Sequence, residues 1–153
     1  MSSTIQSYLA ALRGKRVAVV GIGVSNTPLI KMLLRSGVEV SACDRRVRED
    51  FAGRAEELES LGAVLYLGED SLERLEGADV IFRTPGLRPD VPQLEAARKR
   101  GAVITSEMEV FFEVCPCTTV AVTGSDGKTT TTTIIAGLLK AAGKNDENCR
   151  PKT

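Results

Sequence analysis

Short apolar runs rich in valine and isoleucine alternate along this chain with longer stretches whose apolar residues recur at helical spacing. The runs at 16–20, 39–43, 64–67, 80–83, 103–105 and 118–123 read as strands. The stretches at 26–36, 53–61, 92–100, 106–112 and 128–142 read as helices, and a first helix over 3–12 precedes them. Gly37, Gly62 and Gly101 each fall just before a predicted strand, where a helix is expected to end in a left-handed cap. This alternation predicts an α/β fold: a Rossmann-like parallel sheet with helices on both faces. Cys115-Pro116-Cys117 reads as a boundary, because proline resists both helix and sheet. The expected organisation is a first domain over 1–114, then the opening strand, phosphate loop and helix of a second domain over 115–144. The polar tail 145–153 reads as disordered.

One stretch carries conflicting signals. Residues 129–135 are all β-branched, which favours a strand. Yet Ile134, Ile135, Leu138 and Leu139 share one helical face, and Gly143 follows as a cap. A helix is the expectation.

Composition narrows the chemistry. The 153 residues are 42% hydrophobic and 26% charged, with twenty basic residues against twenty acidic ones. That balance gives no general pull towards nucleic acid or an anionic membrane. Histidine is absent, which excludes any mechanism needing an imidazole base or ligand from this chain. The N-terminus lacks a secretory pattern, and no apolar stretch approaches a membrane-spanning length. A cytoplasmic protein is expected. The cysteines Cys43, Cys115, Cys117 and Cys149 lack metal-site spacing and read as reduced thiols.

Two glycine turns carry the candidate chemistry. The first predicted strand runs into Gly21-Ile22-Gly23-Val24-Ser25-Asn26, which holds the first two glycines of the dinucleotide fingerprint G-x-G-x-x-G. Asn26 takes the place of the third, where it or Ser25 can cap the following helix. Asp44 ends the second strand, followed by Arg45 and Arg46. In a nicotinamide enzyme an acid there holds the ribose. The second turn, Gly124-Ser125-Asp126-Gly127-Lys128-Thr129-Thr130, matches the end of a P-loop, although Val122 stands where the opening glycine belongs. Its backbone N–H groups can cradle phosphates, Lys128 can reach them, and the Thr129 hydroxyl is placed for Mg²⁺.

These motifs, taken in order with Thr84-Pro85-Gly86-Leu87 after the fourth strand and Ser106-Glu107-Met108-Glu109-Val110-Phe111 after the fifth, resemble the Mur ligase family. The resemblance runs to about residue 144 and is nearest to the branch that adds D-glutamate. It accounts for Val122, and it implies a three-domain monomeric enzyme of peptidoglycan precursor synthesis. That enzyme would join UDP-N-acetylmuramoyl-L-alanine to D-glutamate through an acyl phosphate, using ATP and Mg²⁺. Carried across, Gly23, Val24, Ser25 and Asn26 would form the diphosphate turn. Asp44 would meet the uracil beside Arg45 and Arg46, and Gly86 would line the same pocket. Gly124, Ser125, Asp126, Gly127, Lys128, Thr129 and Thr130 would hold ATP, with Lys128 catalytic and Thr129 on Mg²⁺. Asn26 in place of glycine, Thr84 in place of serine and Arg45 in place of a small polar residue depart from the family pattern.

The family's downstream acidic metal ligand and amino-acid pocket have no counterpart here. The chain is therefore expected to bind UDP without ligating. The alternatives are a nicotinamide-dinucleotide-binding redox module, which Asp44 fits and the late Gly-Lys-Thr does not, and an interaction protein. An unpaired strand at 118–123 would offer an edge for self-association.

Overall fold

Alternation within one strand decides what the sheet packs against. In β1 (Arg16–Val20), Val17 and Val19 point into one core while Ala18 and Val20 point into another, as a pleated strand requires. The computed structural model describes residues 4–144. The other strands are β2 (Glu39–Asp44), β3 (Val64–Leu67), β4 (Val80–Phe82) and β5 (Val103–Thr105). All pair in parallel, in the order β3-β2-β1-β4-β5. Central Val17 lies opposite Val40 on one side and Val80 on the other.

Helices cover both faces. On one side lie α1 (Ile5–Leu12), α2 (Asn26–Arg35), α3 (Arg54–Ser60) and α5 (Glu107–Val114). They bring Leu12, Leu29, Ile30, Leu33, Leu58 and Val110 onto the sheet. On the other lie α4 (Pro92–Lys99) and a 3₁₀ segment Glu69–Leu75, which contribute Leu94, Ala97, Leu72 and Leu75. Coverage on both sides explains why the central strands are apolar almost throughout. The α5 start is fixed by Ser106, whose hydroxyl accepts from the Glu109 N–H at 3.2 Å. This is an ordinary N-cap.

The strand order is that of the doubly wound dinucleotide-binding fold. The chain runs outward through β1, β2 and β3, then returns to start β4 on the other side of β1. A crevice at the carboxyl ends of β1 and β4 follows from that reversal.

Three local features depart from the pattern-based expectation. The 3₁₀ segments Arg48–Phe51 and Glu69–Leu75 were not signalled, being too short to show helical periodicity. Residues 118–123 form no strand. A strand persists by pairing, and none of the five described strands pairs with this segment; Val120 there is 68% exposed. The described residues thus lack the edge on which self-association was expected. The 128–142 stretch is a helix, α6 (Lys128–Ala141). The hydroxyls of Thr132 and Thr133 donate to the carbonyls of Lys128 and Thr129 at 2.8 and 2.9 Å, so they bond back within the helix. None of its residues is buried. The tail 145–153 lies outside the described residues.

Cys43 and Cys115 are free thiols. Cys149 lies outside the described residues. Burial, reinforced by neighbouring Asp44, pushes the Cys43 thiol up to about 12. Thiolate is the reactive form. Ellman's reagent at mildly alkaline pH is therefore expected to label Cys115 and spare Cys43 until the chain unfolds. Rapid native labelling of Cys43 would show that the sheet opens there.

Candidate nucleotide site

The first glycine turn closes on the loop after β4. Gly21 has φ +90°, and a Cβ placed on it would lie 3.1 Å from the Thr84 Cβ. Its N–H donates to the Cys43 carbonyl at 2.7 Å. Gly23 differs. It carries no positive φ, and a Cβ there would meet nothing within 4 Å. Gly21 is thus needed for the fold, whereas the space over Gly23 is open. Gly86 also faces open space, in a turn closed by the Leu87 N–H donating to the Thr84 carbonyl at 3.1 Å.

These turns border a cleft of about 330 Å³, lined by Val20, Gly21, Gly23, Asp44, Arg45, Arg46, Ser71, Leu72, Thr84, Gly86 and Leu87. Of the expected UDP residues, Gly23, Asp44, Arg45, Arg46 and Gly86 meet there. Val24, Ser25 and Asn26 are not in its wall. Val24 is 88% exposed. The N–H groups of Gly23, Val24 and Ser25 make no hydrogen bond among the described residues. They remain free for an anion at the start of α2, where the helix dipole adds positive potential. Asn26 is buried, and its Nδ2 donates to the Val20 and Gly21 carbonyls at 3.0 Å each. Its amide ties the turn to β1, and neither it nor Ser25 caps α2 through its side chain. A cleft of about 400 Å³ between 3₁₀ segment 69–75 and α4 holds none of the expected residues.

The Asp44 carboxylate is fully engaged within the chain. One oxygen accepts from the Ile22 N–H at 2.7 Å and from Arg46 Nη2 at 2.9 Å. The other accepts from the Arg46 N–H at 3.0 Å and from Arg46 Nε at 3.1 Å. That exhausts the roughly four acceptor positions of a carboxylate. Burial raises the Asp44 pKa, but the hydrogen bonds from Arg46 and Ile22 outweigh it and hold the group below the usual carboxylate range. Arg46 Nη2 also donates to the Ile22 carbonyl at 2.9 Å, and the guanidinium lies 4.5 Å from the centroid of the Phe51 ring. Pinned on these sides, Arg46 leaves Nη1 without a hydrogen bond among the described residues. Arg45 is exposed at the rim.

The second glycine turn stands at the start of α6. Gly127 is its N-cap at φ +75°, the left-handed conformation that favours glycine. Gly124, Ser125, Asp126, Gly127, Lys128, Thr129 and Thr130 are all exposed. Lys128 Nζ turns back and donates to the Gly124 and Ser125 carbonyls at 2.6 and 2.9 Å. The arrangement suits phosphate: a helix N-terminus, a lysine, and open space over Gly127. For a divalent cation the described residues offer the Thr129 hydroxyl but no cluster of three acidic or thiol ligands.

Sequence reasoning missed Ser71 and Leu72, which reach the cleft on the unsignalled 3₁₀ segment. No helix among the described residues is long and apolar enough to cross a membrane.

Comparison with known proteins gives concordant matches. The Mur ligase MurD-like N-terminal domain family matches residues 15–106. The UDP-N-acetylmuramoylalanine--D-glutamate ligase of Ruminiclostridium cellulolyticum is 51% identical over 143 residues, covering 94% of this chain and 31% of that protein. The ligase of the same name from Clostridium botulinum strain Hall is 49% identical over the same coverage. The chain therefore spans under a third of the length of these curated relatives. Among solved structures, a murein peptide ligase from Psychrobacter arcticus superposes with a TM-score of 0.57 at 24% identity, over 85% of this chain and 27% of that one. That likeness is one of fold.

Proposed function

The chain belongs to the Mur ligase family, through its MurD-like N-terminal domain, and from that premise we propose that the cleft at β1, β2 and β4 holds the UDP end of a UDP-N-acetylmuramoyl-L-alanine substrate. The observation that carries this reading is the open, unstrained space over Gly23 beside unbonded N–H groups at the start of α2. A diphosphate seated there would accept from Gly23, Val24 and Ser25, as anions do at helix N-termini. The base would then lie towards Arg45, Arg46 and Asp44, with Gly86 closing the other side. Asp44 serves by holding Arg46 and the Ile22 N–H in place, since both its oxygens are taken.

We assign residues 1–114 to the UDP-binding domain and 115–144 to the start of an ATP-binding domain. Gly124, Ser125, Asp126, Gly127, Lys128, Thr129 and Thr130 would hold the ATP phosphates, Lys128 releasing the two loop carbonyls to do so. Mg²⁺ would meet Thr129, with its other ligands drawn from phosphate oxygens. ATP supplies the phosphoryl group that activates the substrate carboxylate as an acyl phosphate, which the D-glutamate amine then attacks. The relatives' printed name supports that pairing. The reading places the chain in cytoplasmic peptidoglycan precursor synthesis.

The test is a titration of UDP and of NAD against the 153-residue chain and its Gly23→Ala variant. UDP is expected to bind the parent chain, NAD much more weakly, and Gly23→Ala is expected to lose at least tenfold in UDP affinity. Its stability should stay within about 0.5 kcal/mol, because the new methyl enters ligand space rather than protein. With UDP-N-acetylmuramoyl-L-alanine, ATP, Mg²⁺ and D-glutamate added together, the 153-residue chain should release no ADP. Preferential NAD binding would favour a redox module instead.

A further inference from the structure

Ser71 is 3% exposed, and its Oγ has no hydrogen-bond partner. It is the one such buried side-chain polar atom among the described residues, and its residue is among those that line the cleft. Buried hydroxyls are nearly always paired, so an orphan at a site calls for a reason. We propose that the Ser71 hydroxyl makes a direct hydrogen bond to the polar edge of the nucleotide base when UDP occupies the cleft. This rests on the UDP reading given above and extends it to a residue outside the glycine turns.

Its position supports the assignment. Across the carboxyl edge of the sheet the order β4, β1, β2, β3 places Gly86 first, then Gly23, then Asp44 with Arg46, and Ser71 last. A diphosphate over Gly23, with the nucleoside running past the Asp44–Arg46 turn, carries the base towards the segment after β3. That segment is wired to the Asp44 turn. The Gly68 N–H donates to the Asp44 and Arg46 carbonyls at 2.9 and 3.1 Å, and the Ser71 N–H donates to the Gly68 carbonyl at 3.1 Å. Ser71 is thereby held at a fixed offset from Arg46, the preorganisation a recognition contact needs. Leu72 beside it and Leu87 opposite supply apolar surface for a flat heterocycle. Asp44 has no acceptor position left. On the β2–β3 side of the cleft, Arg46 Nη1 and Ser71 Oγ make no hydrogen bond among the described residues, and of these two the hydroxyl can both donate and accept.

The test reads binding and stability together. UDP and inorganic pyrophosphate are titrated by NMR into the parent chain, Ser71→Ala and Ser71→Cys, and urea unfolding is followed for all three. Both variants are expected to raise the Kd for UDP about three- to tenfold, with pyrophosphate binding unchanged. Their unfolding midpoints should match or exceed the parent's, since losing an unpaired buried hydroxyl removes a penalty. Variants that bind UDP like the parent would overturn the inference and leave the UDP reading standing. So would variants that lose UDP and pyrophosphate alike along with stability, because Ser71 would then serve the fold. A parent chain that binds no UDP would remove the site and the contact together.

Discussion

Gly21→Ala is expected to destabilise the chain by about 2–4 kcal/mol, summing a left-handed backbone penalty and overpacking. The backbone there has φ +90°, and the new methyl would sit 3.1 Å from Thr84 Cβ and 3.2 Å from its Cγ2. Neither contact is with the far end of a long side chain, so relief must come from moving the turn or the β4 loop. Both border the cleft, and moving them also breaks the alignment of Gly23 with Gly86. A urea midpoint like the parent's, with an unchanged slope, would show that these two segments do not close on each other. Gly23→Ala, two positions along, is expected to have the opposite profile: as stable as the parent but at least tenfold weaker in UDP affinity.

Asp44→Ala should cost a comparable ~2–4 kcal/mol, mostly through buried donors left unpaired. The Ile22 N–H loses its acceptor, and Ile22 is fully buried. The Arg46 N–H loses its own. The guanidinium contributes less, because the Arg46 side chain is 45% exposed and solvent screens such pairs. Freed of Asp44, Arg46 also loses the pin that aims it at the cleft. The pH dependence follows from the direction of the shift. The folded Asp44 pKa lies below its ordinary value. Its contribution is therefore complete above an unfolded value of about 3.9 and is lost as pH falls through the depressed folded value. The parent's advantage over Asp44→Ala should be flat near neutrality and shrink below about pH 4. An advantage that shrinks with rising pH would contradict the assigned geometry.

The sheet was legible because β1 and β2 write their burial directly into runs of valine and alanine, with glycines marking where each helix stops. The site was legible where backbone conformation dictates residue type, as at Gly21, or where an acid ends a strand, as at Asp44. It was less legible where a residue's role depends on what it touches. Asn26 occupies a fingerprint position, yet its amide turns inward to Val20 and Gly21, which no spacing reveals. Ser71 enters the cleft from a 3₁₀ segment too short for periodicity, and one serine in Glu-Asp-Ser-Leu carries no signal. Residues 118–123 look like a strand because their composition suits one, but pairing is a property of neighbours rather than of the segment.

Helix α6 buries no residue and leaves Ile134, Leu138 and Leu139 at 57%, 67% and 46% exposure. The sheet's packing energy therefore does little to order it. Fourteen residues with an isoleucine- and threonine-rich body have only a marginal intrinsic tendency to stay helical in water. The lysine and threonines of the second glycine turn ride on that helix, so how well they are preset for an anion is governed by a local coil-to-helix balance. A change that strengthens the sheet leaves that balance where it was.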